Sequence, residues 1–265
     1  MTETENSCGV LSFLIFVLLT IPAPLLGQSD VFVDPAKAAQ AKTEGEFDKY
    51  LEIVTASDPH QIVSHAEAFV VLFPHSELSS AAYRYKMQAY EQLNDFDGML
   101  AAGRQALVGN PDDASTLLAL ATAMASRAAA RSDREALLSE AERDARHALE
   151  EVEKAHLSRK VSMQEWTQQK HQMQSEAYGA LGVVSLERKQ TEAAARDFTT
   201  AISLSPQPQG IQFLRLGLAY SSMATNTARA AAQVNFRRAA ELGPEAVRKS
   251  ALSELTKLTA QSAQR

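Results

Sequence analysis

The stretch from Glu176 to Pro206, EAYGALGVVSLERKQTEAAARDFTTAISLSP, decides how the rest of the chain is read. Tyr178, Leu181, Gly182 and Ser185 fall at i, i+3, i+4 and i+7, which is one face of a helix. After the polar break at Lys189 and Gln190, Ala194, Phe198 and Ala201 mark one face of a second helix, and Pro206 follows. A core-facing helix normally carries bulk, yet Gly182, Ala194 and Ala201 are small. Two antiparallel helices close to about 8–10 Å only where the side chains at their crossing are small. These three residues therefore mark a close crossing, with Tyr178 and Phe198 filling the space beside it.

The same spacing recurs along the chain. Ala232, Phe236, Ala239 and Pro244 repeat the ending, after a first helix carrying Phe213, Leu216, Gly217 and Tyr220. A third copy has Tyr83, Lys86, Met87 and Tyr90, then Met99, Gly103, Ala106 and Pro111. These residues resemble the tetratricopeptide repeat, a helix–turn–helix unit of 34 residues. Residues 175–208 fit its pattern with Ser185 in place of a tyrosine. Residues 80–113 fit its length but depart from it at Lys86, Met87, Met99 and Gly103. Residues 210–244 fit it with a few residues inserted in the turn, around Ala224–Thr227. A lone helix pair cannot bury its apolar face, so the pairs must stack. The resemblance implies an all-α, right-handed solenoid of helix pairs.

The expected units are 59–76 (partial), 80–113, 114–153 with an insertion, 175–208 and 210–244, within a solenoid spanning 44–258. A helix over 245–258 carries Val247, Ala251, Leu255 and Leu258 on one face and caps the last pair, ahead of a tail at 259–265. The middle is irregular. Leu117, Leu120, Ala121 and Met124 make a good first helix, but its partner, with Ala141, Ala145 and Ala148, arrives eight residues late. Ser132 with Glu135, and Ser162 with Glu165, have the form of capping boxes. The pattern predicts long helices over about Asp133–His156 and Met163–Arg188, forming an extended central hairpin. Trp166, the only tryptophan, either packs between its arms or stands exposed as an anchor for a partner.

The first residues differ from the rest. Val10 to Gly27 carries no charge, and its apolar stretch, Val10 to Ile21, is short for a membrane-spanning helix and is ended by Pro22 and Pro24. Residues 1–27 read as a signal peptide cleaved near Gly27 or as a retained membrane anchor, although Glu3 and Glu5 replace the usual positive flank. Residues 28–43 read as a flexible leader. An exported protein, periplasmic or extracellular, is the expectation, with a membrane as partner only if the segment is kept. The sole cysteine, Cys8, precedes the apolar run, so a cleaved chain would hold no thiol.

The net charge of −6 and the lack of a long basic run argue against nucleic acid as a partner. No Gly-rich phosphate loop is present, and no cofactor, metal site or catalytic residue is expected. His60 and His65, with Glu67 nearby, share a helix face only imperfectly. His147 with Glu150 and Glu151 has the spacing of an ordinary solvated face. What remains is surface, and the function expected is a protein-binding scaffold, not an enzyme. The resemblance implies a concave groove lined by first helices. Matched by position, its lining residues are Ala81, Arg84, Gln88, Glu91, Ser115, Leu118, Thr122, Ala125, Glu176, Gly179, Val183, Leu186, Ile211, Leu214, Leu218 and Ser221. The Lys/Asn clamp by which some members hold a terminal carboxylate is absent. The rivals to this reading are a membrane-tethered assembly factor and a structural protein that self-associates through the 133–188 hairpin.

Overall fold

The structure, a computed structural model, describes residues 39–156 and 161–263. The segment read as a signal peptide or anchor, and most of the leader, lie outside them. Among the described residues there is no strand, and no helix is long and apolar enough to cross a membrane. The helices are α1 (Glu44–Thr55), α2 (Pro59–Leu72), α3 (Ser79–Gln92), α4 (Phe96–Gly109), α5 (Ala114–Arg127), α6 (Arg134–Lys154), α7 (Met163–Glu187), α8 (Thr191–Leu204), α9 (Gly210–Ser221), α10 (Asn226–Leu242) and α11 (Glu245–Ala263). Consecutive helices pack as pairs, α1 with α2 through α9 with α10, and each pair packs on the next. The architecture is an all-α solenoid of helix pairs closed at its C-terminal end by α11.

Local chemistry sets the helix ends. Thr43, Asp58, Asp95 and Thr225 each accept a backbone N–H of the first turn through the side chain. The α3–α4 and α7–α8 turns are built alike. Asp95 N–H reaches back to Tyr90 O at 2.9 Å and Gln190 N–H to Ser185 O at 2.8 Å, six-residue closures that place Asn94 and Lys189 at positive φ, 56° and 61°. Asn tolerates that conformation, whereas Lys carries the Cβ penalty.

The pairs close where the small residues fall. A Cβ on Gly182 would lie 2.6 Å from the Phe198 ring, and one on Gly217 would lie 2.6 Å from the Phe236 ring. Both rings are fully buried, as are Ala194, Ala201, Ala232 and Ala239. The α3–α4 pair inverts the arrangement. There the bulk, Met87, sits on the first helix and the glycine, Gly103, on the second, where an added Cβ would meet Met87 Sδ at 2.8 Å and Leu120 Cδ2 at 2.6 Å. The departures from the repeat pattern at Met87 and Gly103 thus compensate each other. In the α5–α6 pair both positions are small, Ala121 and Ala145, and Leu181 of α7 packs with them, joined by Leu149 and Tyr178.

The long helices of the middle are present as α6 and α7. The late start of α6 is bridged by a 3-10 turn at Ala128–Ala130. Arg131, just after it, lies over the Phe96 ring at 5.3 Å and pairs with Asp97 at 3.0 Å, which fastens the insertion to α4. The Ser162–Glu165 capping box forms at the start of α7. The box expected at Ser132–Glu135 does not. The N-cap of α6 is Asp133, whose carboxylate is taken by Arg131 at 2.9 Å and makes no side-chain cap, while Glu135 is drawn to Arg188 at 2.7 Å. Lys170 and Gln174 of α7 both bond Glu153 of α6. Met173 packs with Ala114, Leu118 and Val152, so the extended part of α7 is braced on α5 and α6. At the C-terminal end Val247, Ala251 and Leu258 of α11 cover Leu214 and Phe236.

Candidate functional site

The faces of the first helices of each pair carry the expected contact residues, and the structure sorts them. Leu118, Val183 and Leu214 are only 3%, 5% and 5% exposed. They are packing residues and not contacts for a ligand: Leu118 lies in one core cluster with Met173 and Ala177, Val183 belongs to the central core, and Leu214 packs with Phe236 and Val247. Stacking of each pair on the next covers them. Arg84 is held by Asp113 at 3.5 Å, and the Ser221 hydroxyl donates to Leu218 O of its own helix. Trp166 is 8% exposed, so it is buried and does not stand exposed as an anchor. Gln88, Thr122, Leu186 and Leu218 are half-buried, and Glu91 is exposed.

Electrostatics picks out three charged groups on these helices, Glu91, Glu176 and Arg215. A charged group that solvent reaches and that protein nonetheless surrounds loses hydration, and its pKa moves toward the neutral form. Burial raises Glu91, opposed by Arg127, and burial raises Glu176, opposed only by the hydrogen bond from Gln172 at 2.7 Å. Burial alone lowers Arg215 from its ordinary value to about 10, with no carboxylate opposing it. Among the described residues no acidic side chain pairs with this guanidinium.

Arg215 sits on α9 with Ile211 and Leu218 at i−4 and i+3, a half-buried stripe of two apolar residues around one cation. On α7, the first helix of the preceding pair, Glu176 and Gly179 lie three residues apart. A Cβ on Gly179 would meet nothing within 4 Å, so space is open there, unlike at Gly182 one turn later. Sequence reasoning missed Arg215, because matching by repeat position selects its neighbours Leu214 and Leu218. A lone cation inside GIQFLRLGLAYS was the available signal.

The histidines sort as sharply. His65 Nδ1 lies 3.4 Å from Glu52 Oε2 of α1, and His60 does not join it in any ligand-like cluster among the described residues. His147 does meet further groups. Its Nε2 lies 3.0 Å from Asp112 Oδ1, in the turn between α4 and α5, and 3.7 Å from Glu151 Oε1. Spacing within α6 showed Glu151 but not Asp112, which is 35 residues away in the chain.

On another face, Glu142, Arg146, Ser185, Arg188, Arg196 and Asp197 line a polar recess of about 170 Å³. Glu142 accepts from Arg146 at 2.9 Å and Arg188 at 2.6 Å, which holds it below its ordinary value, while burial raises Asp197.

No family model matches the chain, and no curated protein matches it. Among solved structures it is similar to an assembly chaperone of RpL4 (Acl4, residues 1–338) at 13% sequence identity. That likeness covers 83% of this chain and 98% of the other, with a TM-score of 0.41.

Proposed function

We propose that this chain is an exported scaffold of the tetratricopeptide kind that holds a segment of another protein against the faces of α7 and α9. The observation that supports this reading is Arg215. Its guanidinium stands on a half-buried stripe and has no acidic partner among the described residues, and burial lowers its pKa. A bound carboxylate would offset the cost of that burial through a charge-assisted hydrogen bond. Ile211, Leu218 and Leu186 would take apolar side chains of the same segment, and the open space at Gly179 would admit its backbone. The occupant that fits is an extended peptide with an acidic residue between apolar ones.

Selection from a displayed random-peptide library, followed by anisotropy titration of the selected peptides, tests this. Acidic, apolar-flanked peptides should emerge, and Arg215→Glu with Leu218→Glu should weaken them at least about 100-fold, two buried contacts of roughly 1.5–2 kcal/mol each. Peptides of any other composition, or equal binding by the double variant, would refute the site. Export is tested separately, by N-terminal sequencing of the protein recovered outside the cytoplasm. A start near Gln28 supports cleavage, and a start near Met1 supports the tether.

A further inference from the structure

We propose that Asp112, His147 and Glu151 form a binding site for a divalent transition metal, with Zn(II) as the ion best matched to one imidazole and two carboxylates. One candidate ligand atom from each residue lies within 4.8 Å of the others. Both carboxylates converge on a single ring nitrogen, with Asp112 Oδ1 at 3.0 Å and Glu151 Oε1 at 3.7 Å from His147 Nε2. In a tetrahedral Zn(II) site with bonds of about 2.1 Å, neighbouring ligand atoms stand about 3.4 Å apart. The two distances bracket that edge, so side-chain rotations suffice to seat an ion, with water as its fourth ligand. One imidazole nitrogen carries at most one proton and cannot satisfy two carboxylates together. A cation between them can.

A buried carboxylate lies near the trio without joining it. Asp144, one turn before His147 on α6, is 2% exposed, and its buried Oδ2 has no hydrogen-bond partner. Its other oxygen takes Arg143 at 2.9 Å. Around the trio itself, Asp112, Glu150 and Glu151 share one lysine, Lys154, and a divalent ion adds the positive charge they lack. Bound there, the ion ties the α4–α5 turn to α6, across the pair that carries the insertion. Lys154 Nζ holds Glu151 Oε1 at 2.7 Å and competes with the ion for that oxygen.

Isothermal titration of the full chain, stripped with EDTA and titrated with ZnCl₂ near pH 7, tests the proposal. One site is expected, weakened at least about 10-fold by His147→Ala and by Asp112→Asn, and tightened roughly 3- to 10-fold by Lys154→Ala. The lysine is 66% exposed, so its removal leaves the helix intact, and circular dichroism checks the other two variants. MgCl₂ should bind at least about 10-fold more weakly, because magnesium selects oxygen ligands. No uptake of Zn(II), a His147→Ala variant that titrates like the parent, a Lys154→Ala variant that binds no more tightly, or magnesium bound equally well would each overturn the proposal.

Discussion

Gly179 and Gly182 stand nearly one turn apart on α7, and one substitution, to alanine, should move stability in opposite directions at the two positions. In a helix interior Gly→Ala gains about 1 kcal/mol from backbone entropy. At Gly179 the new methyl meets nothing within 4 Å, so the gain is kept and Tm rises by about 2–4 °C for a chain of this size. At Gly182 the methyl lies 2.6 Å from Cδ1 and Cε1 of Phe198, where ordinary carbon contacts need about 3.5–4.0 Å. The ring must therefore move by about 1 Å, and it is 1% exposed, with Ala194 and Ala201 just as buried on the same helix. Overpacking of that kind costs roughly 1–3 kcal/mol, which offsets the entropic gain and leaves a net loss of up to about 2 kcal/mol. Urea and thermal unfolding followed by circular dichroism measure both variants. In a Phe198→Leu background the Gly182→Ala penalty should shrink or vanish, since its cause is removed. Equal shifts for the two alanines, or a penalty unchanged by Phe198→Leu, would refute the reasoning that the pairs close on glycine.

The remaining predictions concern single side chains. Lys189→Gly should stabilise by about 1 kcal/mol, because φ of 61° costs a lysine and not a glycine, and its Tm should rise without change in helix content. Glu142 is held below its ordinary 4.5 by Arg146 and Arg188. A carboxyl lowered in the folded state contributes stability that is present above 4.5 and lost as pH falls through the folded value. Melting curves from pH 7 to pH 3 should therefore show a shallower acid loss in Glu142→Gln than in the parent. Burial lowers Arg215 to about 10, a cost on the order of 1–2 kcal/mol because water still reaches part of its half-buried side chain. Arg215→Met should raise Tm accordingly while abolishing capture of acidic peptides. A lower Tm would mean that the arginine already has a partner within the fold.

Reading the chain by its residues went furthest where the relevant chemistry is local. The alanine–phenylalanine–alanine faces of α8 and α10 lie in the sequence at helical spacing, and their burial follows from it. The exchange of bulk between Met87 and Gly103 reads as degeneration in the sequence, because each residue alone departs from the pattern and only their contact restores it. The Ser132–Glu135 box fails for a similar reason. A glutamate suited to the helix start finds a stronger partner, Arg188, 53 residues later. Positional matching put Leu118, Val183 and Leu214 on an open surface because it counts residues along one helix and takes no account of what the next pair covers.

By itself, the sequence determined that this protein is a succession of paired helices, since the spacing of small and large side chains acts within one or two turns. Only the tertiary structure decided which faces stay open to a partner, and that Asp112 would meet His147. Burial, desolvation and the convergence of ligand atoms depend on segments far apart in the chain, and no periodicity within a single helix encodes them.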